Sequence, residues 1–133
     1  MGASNYLEDK IRNHINGHTA YTAPGNVYFG LHTADPGETG ATAEVTGGAY
    51  ARVQLANTSV GWAASSGGSA ANAVAVQFPN ATAAWGTVTH YSKWDAITAG
   101  NCLEYSALTS SKVIASGDPG PIFNVGTIVE SVS

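Results

Sequence analysis

Val27-Tyr28-Phe29-Gly30-Leu31-His32 decides the fold. Val27, Phe29 and Leu31 alternate with Tyr28, Gly30 and His32, so one set of side chains faces each side of an extended chain. Turn chemistry bounds the run: Ala23-Pro24-Gly25-Asn26 precedes it and Asp35-Pro36-Gly37 follows. The same period of two returns downstream. It places Val53 and Leu55 on one face within Tyr50 to Ala56, then Val74, Val76 and Phe78 before Pro79. Thr87 to Trp94 is rich in Thr, Val and Tyr, and Ala99-Gly100-Asn101 reads as a hairpin turn into Leu103 to Leu108. Residues 122–132 supply one or two closing strands, and Gly/Ser/Thr-rich loops fill the intervals.

Upstream the pattern changes. Asn5 is placed to cap a helix, with Glu8 three residues on. Leu7, Ile11 and Ile15 recur every four residues and share one helical face, and Gly17 is a C-terminal stop. A short helix is marginal alone, so this stripe must dock on the domain or on a neighbouring subunit. The expected architecture is mainly β: a small antiparallel β-sandwich or barrel with a short N-terminal α-helix. Residues 1–25 form the helix and connecting arm, and 26–133 form the sandwich-like domain.

A chain of 133 residues with 44% hydrophobic residues can bury a core without disulfides. Only 11% of residues are charged, against roughly 25% in typical soluble domains. Ala, Gly, Thr, Ser and Asn replace them, which fits a protein packed against copies of itself or other subunits. The net charge is −4 and no Lys/Arg cluster occurs, which speaks against nucleic acid as a partner. No apolar run reaches membrane-spanning length. The N-terminus lacks the apolar stretch of a secretory signal, so synthesis in the cytoplasm without export by a classical route is expected. Cys102, the single cysteine, reads as a small buried hydrophobe.

Catalytic signatures are missing from the sequence. There is no phosphate-binding glycine loop and no Gly-x-Ser-x-Gly elbow. His14 and His18 stand four apart, but Gly17 lies between them and the histidines do not otherwise cluster, so no metal or cofactor is expected. His32 and His90 are expected to bond backbone carbonyls at strand ends. Asp35, Asp95 and Asp118 sit at turns, where carboxylates accept local N–H groups. Arg52 is the sharpest residue. It is the only cation between Arg12 and Lys93 and lies in a half-buried strand, so it requires a carboxylate from Glu44, Asp35 or Asp95. Trp62, Trp85 and Trp94, with Tyr28, Tyr50, Tyr91 and Tyr105, are expected in the core; exposed in a row, they would instead stack on glycans.

Several stretches carry a family resemblance. They are Asn5-Tyr6-Leu7, Thr19-Ala20-Tyr21-Thr22, the run from Val27 to Pro36, and Glu44 to Arg52. Phe78-Pro79, Trp85-Gly86-Thr87-Val88-Thr89-His90, Asp95-Ala96 and Gly100-Asn101 complete the set. Nearly the whole chain is covered in one order. It resembles the small phage proteins related to mycobacteriophage Gp80, often labelled tail-fibre or minor structural proteins. The resemblance implies a non-enzymatic virion protein and brings no catalytic site.

Compactness, low charge and acidic balance favour a capsid decoration (cement) protein, bound to the major capsid protein and to copies of itself, as in a trimer. The alternative is a tail-fibre or tail-tip component bound to tail proteins, with host-glycan binding. The residues expected to carry structure and interaction are Leu7, Ile11, Ile15, Arg52, Trp85 and Asp95, with the helix or the Thr19 to Gly25 arm touching the partner.

Overall fold

The computed structural model describes residues 2–131; residue 1 and residues 132–133, which end the two segments read above, lie outside it. Nine strands and one helix are present among the described residues: β1 (Gly2–Ala3), α1 (Asn5–Ile15), β2 (Asn26–His32), β3 (Val53–Ala56), β4 (Ser69–Ala71), β5 (Val76–Gln77), β6 (Gly86–Trp94), β7 (Cys102–Ile114), β8 (Ile122–Phe123) and β9 (Val129–Ser131). A five-stranded antiparallel sheet runs β1-β7-β6-β2-β3, and two-stranded ribbons β4-β9 and β5-β8 build the opposing layer. The fold is a small β-sandwich with one N-terminal helix.

The alternation in β2 explains the layering. Val27, Phe29 and Leu31 are buried on the inner face, beside Leu55 of β3 and Tyr91 of β6. Side chains from the second layer meet them. Phe123 lies 5.2 Å from the Tyr91 ring and 6.2 Å from Phe78, and Trp62 lies 6.3 Å from Phe29. Val76, Val88, Ile114 and Ile128 complete a closed apolar core. Gly30, His32 and Ser92 point to the other face, which residues 33–50 cover through Thr42 and Glu44.

Some elements differ from expectation. The helix cap is Ser4, one residue before Asn5, and its Oγ accepts from Leu7 N at 3.2 Å. Ser4 is fixed there because the same hydroxyl donates to the Cys102 carbonyl and its N–H bonds Leu103 O. Gly17 does terminate the turn, at φ +71°. The Tyr50 to Ala56 strand shortens to Val53–Ala56, because beyond Phe29 the β2 edge is taken at Leu31 by Val45 N–H and the Tyr50 hydroxyl. Similarly, only Val76–Gln77 of the Val74 to Phe78 run pairs, with Ile122–Phe123. In contrast, β7 extends to Ile114, with its register against β6 breaking between Val88 and His90.

Candidate functional site

The most elaborate polar construction is the Arg52 cluster at the end of β3. Of the three carboxylates considered for Arg52, Glu44 takes it. Nε and Nη2 donate to the two Glu44 oxygens, each at 2.8 Å, a bidentate fork. Nη1 donates to the carbonyls of Ala96 and Ala99 at 2.9 and 2.8 Å, and the guanidinium lies 3.7 Å from the Trp94 ring centre. One side chain thus ties the covering segment to the β6–β7 turn. The Tyr50 hydroxyl donates to Glu44 Oε2 at 2.7 Å and accepts from Leu31 N at 3.0 Å. Burial alone would raise the Glu44 carboxyl, but hydrogen bonds from Arg52 and Tyr50 hold it below its ordinary value. Burial, and then the Glu44 charge, push the Tyr50 phenol upward.

Gly30 sits beneath this cluster. A Cβ there would lie 2.9 Å from Glu44 Oε2 and 3.0 Å from both Ser92 Oγ and Tyr50 OH, so even an alanine would have to push these three polar tips aside.

Next to it, His32 lies between two partners. Nδ1 is 2.8 Å from the Thr42 carbonyl and Nε2 is 2.7 Å from Ser92 Oγ. A carbonyl can only accept, so Nδ1 carries the proton and Nε2 accepts from the Ser92 hydroxyl. Trp94 Nε1 donates to the same hydroxyl at 2.7 Å, completing a chain from Trp94 through Ser92 and His32 to Thr42. Burial lowers the His32 pKa, against the pull of the Thr42 carbonyl and Glu44. A serine hydroxyl bonded to an imidazole is the start of a nucleophile pair. Here both residues are 0% exposed and the hydroxyl is doubly engaged, so the pair is closed to solvent and ties β2 to β6.

On the inner face, a second cluster breaks the apolar core. Lys93 of β6 is buried between Glu104 of β7 and Glu130 of β9. Its Nζ bonds Glu130 Oε2 at 2.6 Å and meets Glu104 Oε2 at 2.8 Å, an ion contact without a second aligned hydrogen bond. The ammonium also lies 5.0 Å from the Trp62 ring centre. Sequence reading missed this cluster and the Ser92 link. The available signal was position: Lys93 stands two residues from Tyr91 and Ser92 two from Trp94 in one strand, so each pair shares a face.

The remaining expected residues are scattered. Leu7 packs against the core, Ile11 is half-buried, and Ile15, at the free end of the stripe, is 70% exposed. Trp85 is buried, donates to Gly48 O at 2.9 Å and sits edge-on to Tyr50. Asp95 accepts from the backbone and side chain of Asn101, a turn role. With Trp85 and Trp94 both buried, the three tryptophans do not form an exposed glycan-stacking row. Trp62 is half-buried, its Nε1 without a partner. His14 accepts from Tyr21 N, His18 meets Thr19, and no group of three metal-ligating side chains occurs among the described residues. His90 bonds Thr89 Oγ1 instead of a carbonyl. Burial raises the Cys102 thiol to about 12, which leaves it unreactive at neutral pH. No helix among the described residues is long and apolar enough to cross a membrane.

This architecture can be set beside known proteins. A family model described as podophage GP4 fiber I protein gp80 matches residues 2–130. The chain belongs to the Gp80 family. The match covers α1, all the sheets and both polar clusters, so Arg52, Lys93 and their partners lie within the Gp80 domain. That family is a podophage fibre family, so the phage-fibre relation stands and the mycobacteriophage part of the resemblance does not carry over. No curated protein matches the chain.

Proposed function

We infer that this chain is a non-enzymatic structural subunit of a bacteriophage fibre, in the tail-fibre or tail-tip position, and so a virion component. The observation carrying this reading is the fibre-family match over residues 2–130. The structure supports it physically. The Arg52–Glu44 and His32–Ser92 pairs are engaged in internal ties, and the His32–Ser92 pair is closed to solvent. Its surface leaves Ile15, Val60, Val113 and Val125 more than 60% exposed, contacts suited to neighbouring subunits. The partners of this reading are other tail proteins and further copies of the chain.

Head decoration remains a second reading, favoured by the 11% charged content and the compact, non-repetitive domain. Copy number separates the two. Quantitative mass spectrometry of purified particles should give a handful to a few dozen copies for a fibre component. Hundreds, in simple ratio to the major capsid protein, would move the chain to the shell. Absence from particles would end both readings.

A further inference from the structure

The cluster of Lys93, Glu104 and Glu130 has an unusual stoichiometry. Two carboxyls share one ammonium, and the exposures of the three side chains are 9%, 6% and 19%. If both carboxyls were ionised, the cluster would hold one uncompensated negative charge inside the sandwich, a costly arrangement. A proton held between Glu104 and Glu130 removes that charge and supplies the hydrogen bond that Glu104 Oε2 lacks.

The placement of Glu130 gives this proton a mechanical consequence. β9 has three described residues, and Val129 and Ser131 are exposed; Glu130 alone turns inward. Besides its ladder to β4, the strand is held at the core through that one carboxyl. Immediately before it, Ile128 is fully buried and its N–H is bonded by Asn72 Oδ1 at 2.9 Å. Ile128 is therefore a fixed point from which residues 129–131 can swing. A cavity of about 200 Å³, lined by Ser65, Gly68, Ala70, Glu104, Glu130 and Ser131, borders the cluster and leaves Glu130 partly open to solvent.

We propose that Lys93, Glu104 and Glu130 form a proton-dependent clasp: with one shared proton β9 stays closed on β4 and on the sheet, and loss of that proton opens residues 129–131. The charged and titratable groups facing Glu130 are Lys93 and Tyr91 from β6 and Glu104 from β7, while β4 presents Ala70 opposite it. Burial first, then the Glu104 hydrogen bond and charge, lift the Glu130 carboxyl to about 7 against the pull of Lys93. A carboxyl raised in the closed state favours closure fully below its open-state value near 4.5. That advantage is lost as pH rises through 7.

Hydrogen exchange on the full chain tests the clasp, with rates corrected for intrinsic pH dependence. Protection of the Val129–Ser131 amides should fall between pH 5 and 7, by at most about tenfold per unit. Ile128 should hold steady. Glu130→Gln should show no such fall. Equal pH dependence in Glu130→Gln, or constant protection in the wild type, would overturn the proposal. A carboxyl-carbon NMR titration of the unaltered protein gives a second reading. A Glu130 midpoint near 7 supports the clasp, and one near 4.5 refutes it.

Discussion

The two faces of the β2–β6 sheet carry opposite solutions to burying charge. On the outer face, Arg52 meets one carboxylate in a fork, and its remaining donors reach backbone carbonyls. On the inner face, Lys93 must serve two carboxyls and has no such carbonyl partners among the described residues. The first arrangement is balanced and tightens when its carboxylate is ionised. The second is over-supplied with acid and tightens when a carboxyl is protonated. Stoichiometry, more than burial, therefore sets how each region answers to pH. Arginine suits the first because its fork satisfies several acceptors at once; lysine offers a point charge that two oxygens can share.

The largest effect that would sharpen this contrast comes from Arg52→Met. It leaves Glu44 without its cation and frees the Ala96 and Ala99 carbonyls, and should cost about 3 kcal/mol in urea unfolding. A cost below 1 kcal/mol would break the claim that this cluster ties the outer face. Gly30→Ala follows, at about 2 kcal/mol, because its methyl group would press on Glu44, Ser92 and Tyr50 together.

Glu130→Gln should act in the other direction, adding about 1 kcal/mol at pH 8 and little at pH 5. A matching loss at both pH values would erase the distinction between the faces. The pH profile itself is informative. His32, lowered by burial, contributes stability above about 6.5 that is lost as pH falls, and Glu44 contributes stability above about 4.5 that is lost as pH falls further. Glu130 opposes both. Thermal unfolding of Glu130→Gln should therefore fall more steeply from pH 6.5 to 4.5 than that of the wild type. The smallest stability effect is expected for Ile15→Glu, within about 0.5 kcal/mol, since Ile15 meets solvent. Its expected consequence is reduced incorporation into particles, read by immunoblot of purified virions.

Local signals made the frame legible. The alternation of Val27, Phe29 and Leu31 identifies an inner face directly, whereas of the Leu7, Ile11 and Ile15 stripe only Leu7 packs against the core and Ile15 is exposed. Arg52 was legible as a residue requiring a carboxylate, because a lone cation in an apolar strand has few other outcomes. The choice of Glu44 over Asp35 and Asp95 was not, since the covering segment brings Glu44 alongside through a bridge to His32. Glu130 was illegible for a related reason. Its partners stand 37 and 26 positions away, and only the return of the chain through β8 into β9 joins them. Cap position failed by one residue because Ser4 serves a tertiary bond to Cys102 as well as the helix. Short ribbons such as β5–β8 were over-read as longer strands, because apolar alternation reports a buried face and not a ladder.

On the proposed reading the molecule is a fibre subunit whose buried polar groups hold the chain together and whose surface meets other subunits. Electron microscopy of purified particles labelled with a Fab fragment against this protein tests that most directly. Label confined to the tail fibres or tail tip is the predicted result, whereas label spread over the capsid shell, or none on the particle, would contradict it.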